Sequence, residues 1–281
     1  MLDKVALRKL GLKDETSVSL HSWNDFLSRL KNPTSKVKIA VVGKYVELQD
    51  AYKSIAEAFI HSGAANHCRV KISWIQSEEV YQSNVKEKLK QYDGILVAPG
   101  FGDRGIVGKI EAVKYARTEK IPFFGICLGM QCAVVEYARN VLNLADAHTT
   151  EINPNTSNPV IDLMDHQKKV TDKGGTMRLG AYSCQVEEDS KAFECYQKVN
   201  IKERHRHRYE FNNDYKEKLE LAGMKTTGLN PESNLVEIIE VVEHPWFVGV
   251  QFHPEYKSTV ANPQPLFVGF IAAAITYSKK H

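Results

Sequence analysis

The sequence predicts an α/β fold with an open, doubly wound, mostly parallel sheet that carries helices on both faces. Two observations support this prediction. Strand-like apolar runs at residues 37–43, 69–75 and 94–98 alternate with helix-like segments at 51–61, 80–91 and 106–117. The run at 121–126 then turns through glycines into another helical segment. Strands separated by helices of this length pair in parallel, and their crossovers are right-handed.

The second half of the chain is less regular. We expect residues 149–180, which are rich in Asn, Pro, Asp, Lys and Gly, to form a long loop or short strands. Strands are predicted at 181–186, 235–242 and 246–252, and helices at 191–196, 215–222 and 266–277.

The first 36 residues differ from the remainder of the chain. They predict two short amphipathic helices, at about 2–10 and 19–30, followed by a breaker cluster at 32–35. We therefore predict a partly helical linker over residues 1–36 and one domain over residues 37–281.

Composition limits the class of protein. The chain has 43% hydrophobic and 25% charged residues and a net charge of +3, which is ordinary for a globular protein and does not favour nucleic-acid or membrane partners. The five cysteines include no CxxC pair, which argues against a disulfide framework or a thiolate metal site. We expect no metal and, because no apolar run has transmembrane length and the N-terminus lacks a signal-peptide layout, a cytoplasmic location.

Cys127 is the first candidate for catalysis. It lies between Gly125 and Gly129, where the predicted strand turns into a helix, and this is the arrangement of a nucleophile elbow. A helix N-terminus favours the thiolate form of a cysteine. The alternative is an inert buried cysteine, because free cysteines are among the most buried residues.

His253 and Glu255 are the candidate base and its orienting carboxylate. They follow the predicted strand 246–252, and residues two apart in an extended chain point the same way. Glu255 can then accept a hydrogen bond from one imidazole nitrogen while the other nitrogen faces Cys127. The alternative is a solvated strand end.

An oxyanion formed during acyl transfer needs N–H donors. Leu128, directly after the nucleophile, supplies one. Gly100, in the turn after the predicted strand 94–98, supplies the second, although an ordinary glycine turn is the alternative. Pro99 precedes Gly100, so this turn has one N–H fewer.

The most basic stretch of the chain is residues 204–208. It is open to three interpretations: a phosphate or nucleic-acid site, a solvated charge run, or one arginine that binds a carboxylate of a small zwitterionic substrate. The near-neutral net charge disfavours extended nucleic-acid binding.

Together these motifs resemble class I (triad) glutamine amidotransferases. Within that family the segments 125–131, 175–180, 203–209 and 250–255 are similar to the glutaminase domains of CTP synthases. The resemblance spans about residues 37–280, and residues 1–36 resemble the end of a synthase domain and its linker. It implies a flavodoxin-like fold of the class I glutamine amidotransferase type.

The resemblance also implies roles for individual residues. Cys127, His253 and Glu255 would form the catalytic triad that hydrolyses L-glutamine to glutamate and ammonia, with Gly100 and Leu128 as the oxyanion hole. Glu151 would bind the α-ammonium and Arg208 the α-carboxylate of glutamine. The full set of implied substrate-binding residues is Gly100, Phe101, Leu128, Gly129, Met130, Gln131, Glu151, Arg208 and Tyr209.

Cofactors and partners are implied only by the resemblance. Ammonia would pass to a synthase (amidoligase) domain that aminates ATP-activated UTP to CTP, with Mg and ATP bound in that domain, GTP as activator and a homotetrameric full-length enzyme. This chain shows no Walker-type phosphate loop. The alternatives are a glutaminase subunit of another amidotransferase and a non-catalytic, glutamine-sensing regulatory module.

Overall fold

A computed structural model describes residues 2–13, 19–163 and 177–280. The helices in these ranges are α1 (Leu2–Lys9), α2 (His21–Lys31), α3 (Lys53–Ala65), α4 (Val85–Leu89), α5 (Ile106–Thr118), α6 (Leu128–Asn140), α7 (Lys191–Tyr196), α8 (Lys216–Leu221) and α9 (Pro265–Ser278). The strands are β1 (Ser35–Gly43), β2 (Cys68–Gln76), β3 (Gly94–Val97), β4 (Phe123–Ile126), β5 (His148–Thr149), β6 (Pro159–Asp162), β7 (Arg178–Val186), β8 (Asn200–His207), β9 (Glu210–Phe211), β10 (Met224–Leu229), β11 (Val236–Val241) and β12 (Phe247–Val250).

The main sheet has the strand order β2-β1-β3-β4-β12-β11-β10-β7-β8. Its first five strands are parallel, in the order expected of a flavodoxin-like sheet. The next four pair antiparallel and extend the sheet on one side. A second small sheet, β5-β6-β9, lies apart from it. The predicted doubly wound, mostly parallel fold is therefore confirmed, with an antiparallel extension that the sequence did not reveal.

The parallel half of the sheet is buried on both faces. Along β1, Ile39 and Val41 belong to an apolar cluster that contains residues of α3 and α9. Ala40 and Val42, which point the opposite way, belong to a second cluster built from α4, α5 and α6. Neither face of such a strand contacts solvent, so polar and apolar residues do not alternate along it. This explains the continuous apolar run in β1.

Several predicted boundaries were wrong. The helix expected at 80–91 is reduced to α4, and the strand expected at 246–252 ends at Val250. The basic run was not predicted as a strand, yet most of it forms β8. Strands β9 and β10 were also not predicted. Strand β6 is one of the short strands expected at 149–180, and most of that segment after β6 lies outside the described residues.

The two N-terminal helices were expected and are present, but they differ from each other in how they contact the domain. Helix α1 has no buried residue. Helix α2 packs on α3, with the Phe26 ring 6.1 Å from the His61 ring. Strand β1 begins at Ser35, two residues before the predicted domain boundary, and that boundary stays a prediction. None of the helices in the described ranges is both long and apolar enough to span a membrane.

Candidate active site

Cys127 forms a sharp turn between β4 and α6. Its φ of 52° and ψ of −105° are unusual for a residue with a side chain. The backbone holds this conformation, because the Cys127 N–H donates to Val250 O at 2.7 Å and the Cys127 carbonyl accepts from the Gln131 N–H at 3.1 Å. A backbone held so far from the common regions typically marks a functional site.

The two flanking glycines are required by close packing. A Cβ atom on Gly129 would lie 2.1 Å from Val97 O, and one on Gly125 would lie 2.8 Å from the Gly129 carbonyl carbon. Any larger residue would push α6 away from the sheet. The local geometry of a nucleophile elbow, predicted from the Gly-x-Cys-x-Gly spacing, is thus present.

His253 and Glu255 follow β12 and lie beside Cys127. His253 Nδ1 is 2.8 Å from Glu255 Oε1, and both side chains are buried. The contact does not arise from an extended strand, as was predicted, because His253 lies beyond the end of β12 and Glu255 lies in a 3₁₀ turn, Pro254–Lys257. The backbone N–H of His253 donates to Arg204 O at 2.7 Å, which anchors the turn to β8.

The second ring nitrogen of His253 is available to Cys127. Nε2 is buried and has no hydrogen bond of normal geometry to a described residue. Burial disfavours the charged imidazole, but the adjacent Cys127 and Glu255 side chains outweigh it and raise the pKa of His253 to about 10. A protonated imidazole beside the sulfur is the form that can protonate a leaving amine.

Two buried glutamines are linked to the nucleophile by hydrogen bonds. Gln251 is fully buried, and its Nε2 lies 3.6 Å from Cys127 Sγ. Gln131 Nε2 donates to Gln251 Oε1 at 3.1 Å and to Tyr209 O at 3.0 Å. Gln131 therefore offers only its carbonyl oxygen to a ligand. Gln251 was not among the predicted site residues, although it precedes His253 by only two positions.

A cavity of about 490 Å³ opens next to Cys127 and carries charges of both signs. Glu151 lies on its wall with Arg208, whose Nε is buried and has no partner among the described residues. A carboxylate and a guanidinium in one cavity can bind the ammonium and carboxylate groups of a zwitterionic ligand. The described lining residues are Gly100, Phe101, Cys127, Gln131, Glu151, Met177, His207, Arg208 and Tyr209.

Three predicted substrate-binding residues do not line this cavity. Leu128 and Met130 are buried in the apolar core, and Gly129 packs against Val97. These residues can reach a ligand only through their backbone. Leu128 is the first residue of α6, so its N–H has no partner within the helix and is suited to an anionic oxygen.

Gly100 lies next to Leu128, because a Cβ atom on Gly100 would be 3.5 Å from Leu128 Cδ2. It lines the first cavity and also a second one of about 420 Å³, and Cys127 reaches both. The Gly100 N–H makes no hydrogen bond to a described residue. The second cavity is also lined by two basic side chains that were not among the predicted site residues, Lys44 and Arg206.

The basic run divides into two faces because it forms β8. His205 and His207 point inward and are buried, whereas Arg204 and Arg206 point to solvent. This alternation disagrees with a uniformly solvated charge run. Of the three arginines in the run, Arg208, just past the end of the strand, lines the first cavity, where His207 also lies.

The inward face of β8 belongs to a buried ionic cluster. Arg178 on β7 donates to Glu237 at 2.8 Å and to Glu210 at 3.3 Å. Burial and the negative charge of Glu237 raise the pKa of Glu210 to about 8, although the Arg178 guanidinium acts in the opposite direction. Burial lowers the pKa of His205 to about 3, so this histidine is neutral. The cluster lies directly behind the residues that line the first cavity.

Comparisons with known proteins agree with this geometry. The sequence model of the family "Glutamine amidotransferase class-I" matches residues 47–273. The chain is 59% identical over 279 residues to a CTP synthase of Flavobacterium johnsoniae, and 61% identical over 278 residues to that of Cytophaga hutchinsonii. These alignments cover 99% of this chain and 52% of each relative, so the chain spans about half the length of the curated relatives it matches.

A solved structure matches most of the chain. It is the glutaminase domain of the Trypanosoma brucei CTPS with bound acivicin, with a TM-score of 0.81 and 38% identity. The match covers 85% of this chain and 94% of that domain. This chain therefore belongs to the class-I glutamine amidotransferase family, among the glutaminase domains of CTP synthases.

Proposed function

We propose that this domain hydrolyses L-glutamine to glutamate and ammonia through Cys127, His253 and Glu255. The observation that carries the proposal is the meeting of three groups at one cavity: a strained cysteine at a helix N-terminus, a buried imidazole paired with a carboxylate, and a wall with opposite charges. Each group has a separate task in amide hydrolysis.

Binding uses the charged wall of the first cavity. Arg208 pairs with the α-carboxylate of glutamine, while Glu151 and the Gln131 carbonyl accept hydrogen bonds from its α-ammonium. Phe101 and Tyr209 flank the side chain of the substrate. This arrangement directs the amide group toward Cys127.

The chemistry then proceeds in two steps. The Cys127 sulfur attacks the amide carbon, and the N–H groups of Gly100 and Leu128 stabilise the negative oxygen. His253 donates its proton to the departing nitrogen, so that ammonia leaves and a glutamyl thioester remains. His253 then takes a proton from water, hydroxide attacks the thioester, and glutamate and the thiolate are released.

The use of the ammonia is part of the same proposal. The relatives that this chain matches are named CTP synthases and are about twice its length. We propose that a synthase domain aminates ATP-activated UTP with this ammonia, and that Mg and ATP bind there. GTP activation, a homotetrameric enzyme and a cytoplasmic location are extrapolated from the family alone. The relatives favour this assignment over a subunit of another amidotransferase, and the intact triad argues against a non-catalytic sensor.

The proposal is tested by labelling with acivicin, the ligand bound by the similar trypanosomal domain. The labelled protein is digested, and the adduct is located by mass spectrometry. We expect one adduct on Cys127, which excess L-glutamine prevents. An adduct on another cysteine, or labelling that glutamine does not reduce, would contradict the assignment of the site.

A further inference from the structure

Lys109, on α5, is an unusual residue for the interior of this domain. Its side chain is completely buried. Burial of a charged group has a high energetic cost, and here it lowers the pKa of Lys109 to about 8. An apolar side chain of the same length would fill this space without that cost, so the amine needs a reason other than packing.

The amine of Lys109 contacts the backbone just before Gly100. Nζ donates to Ala98 O at 2.6 Å and more weakly to Pro99 O at 3.4 Å. A Cβ atom on Gly100 would lie 3.6 Å from the same Nζ, so the amine lies directly behind the turn. Pro99 has no N–H, so carbonyl contacts are the main means of holding this part of the turn.

Peptide geometry links this contact to the oxyanion hole. The Pro99 carbonyl and the Gly100 N–H belong to one planar trans peptide and point in opposite directions. When Lys109 holds the carbonyl on the inner side, the Gly100 N–H must point outward. That N–H has no partner among the described residues, and Gly100 lines both cavities with Cys127.

The Phe101–Gly102 peptide, further along the turn, is held in the same manner. Lys44, a second buried lysine, donates from Nζ to the carbonyls of Phe101 and Gly102. On the other side, the Gly102 N–H donates to Glu151 at 2.9 Å. The Pro99–Gly100 and Phe101–Gly102 peptides are therefore both oriented by charged side chains.

We propose that Lys109 is a positioning residue that fixes the Pro99–Gly100 peptide so that its N–H faces the oxyanion formed at Cys127. Lys109 does not touch the substrate. The proposal rests on the glutaminase activity proposed above, because only an acyl-transfer step places a negative oxygen at this position.

The test compares two lysine substitutions on α5. Lys109→Met keeps the length of the side chain and removes the donor. Lys114→Met, on the same helix, is the matched control, because the Lys114 side chain is only partly buried and has no contact with the turn. The steady-state parameters kcat and KM for ammonia release from glutamine are measured for both variants and the wild type.

We expect Lys109→Met to lower kcat by about 10- to 100-fold with little change in KM, since a small misplacement of a catalytic group has effects of about this size. Lys114→Met should leave both parameters unchanged. Alkylation of Cys127 by iodoacetamide provides the second readout. This reaction places no charge on a carbonyl oxygen at Gly100, so its rate should be the same in Lys109→Met and the wild type.

Three outcomes would contradict the proposal: an unchanged kcat in Lys109→Met, an effect confined to KM, or an equal loss in the iodoacetamide rate. The last would mean that the charge acts on the thiol itself. If Lys109→Met does not fold, Lys109→Gln retains a shorter donor and should show a partial loss of kcat, and an unchanged kcat there would be equally contradictory. A wild-type chain that releases no ammonia would instead contradict the proposed function.

Discussion

The two halves of the main sheet contribute to the site by different physical means. The parallel half places Cys127, Gly100 and Leu128 through backbone geometry: a positive φ, a helix N-terminus and unpaired N–H groups. The antiparallel half places His207, Arg208 and Tyr209 at the cavity wall and supports them with buried charges. In the proposed function, reactivity therefore depends mainly on the parallel half and substrate binding on the antiparallel half.

The difference follows from how each half is stabilised. The parallel strands are covered by apolar helices on both faces, which allows a strained turn to persist. In the antiparallel half, Arg178 and Glu237 are buried together with Glu210 of the neighbouring strand β9, an arrangement that is sensitive to the loss of one member. Substitutions in the two halves should therefore have separable effects.

The largest effect should come from the nucleophile. Cys127→Ala should lower glutaminase kcat by at least about 10⁴-fold, because no other group can form the thioester. Its matched control is Cys195→Ala, at a partly buried cysteine outside both cavities, which should retain activity. Measurable turnover in the Cys127 variant, after removal of contaminating glutaminase, would contradict the mechanism.

The next largest effect should be on stability in the antiparallel half. Arg178→Met leaves two buried carboxylates without their cation and should lower the free energy of unfolding by about 3–5 kcal/mol in urea denaturation. The control Arg29→Met removes a surface ion pair with Asp25, at 2.8 Å, and should cost less than about 1 kcal/mol. Similar losses in both variants would show that the buried cluster has no special role.

Substrate binding should respond to Arg208. Arg208→Ala should raise KM for glutamine by about 10- to 100-fold, the effect of one charge-assisted contact of roughly 1.5–3 kcal/mol. Its kcat and the rate of Cys127 alkylation should change little. Arg204→Ala, on the solvent-facing side of β8, is the control and should behave as wild type. An equal rise in KM for both arginines would indicate a general charge effect.

A fourth effect is a pH dependence of stability. The raised pKa of Glu210, about 8, means that the folded state retains a proton that the unfolded state releases above about 4.5. The folded state is therefore stabilised at low pH, and this contribution falls as pH rises from about 4.5 to 8. Glu210→Gln should lack this decline when unfolding is measured across the same range. Parallel curves for the variant and the wild type would show that Glu210 titrates normally.

The local sequence was sufficient to predict those parts of the site that are formed by residues close together in the chain. Gly125, Cys127 and Gly129 predicted the elbow because each glycine is needed within one turn of the chain. The alternation of apolar runs and helical segments predicted the parallel sheet. The pairing of His253 with Glu255 was also predicted, although a 3₁₀ turn and not an extended strand brings them together.

Only the tertiary structure decided the parts whose partners are distant in the chain. Gln251 meets Gln131 across 120 positions, and Arg178 meets Glu237 across 59. Lys109 lies on α5, and nothing in the neighbouring sequence indicates that its amine contacts the turn at Pro99 and Gly100. A buried polar side chain is stable only with a hydrogen-bond partner. Strand order and helix packing determine which distant residue becomes that partner, so no local sequence pattern could predict these pairs.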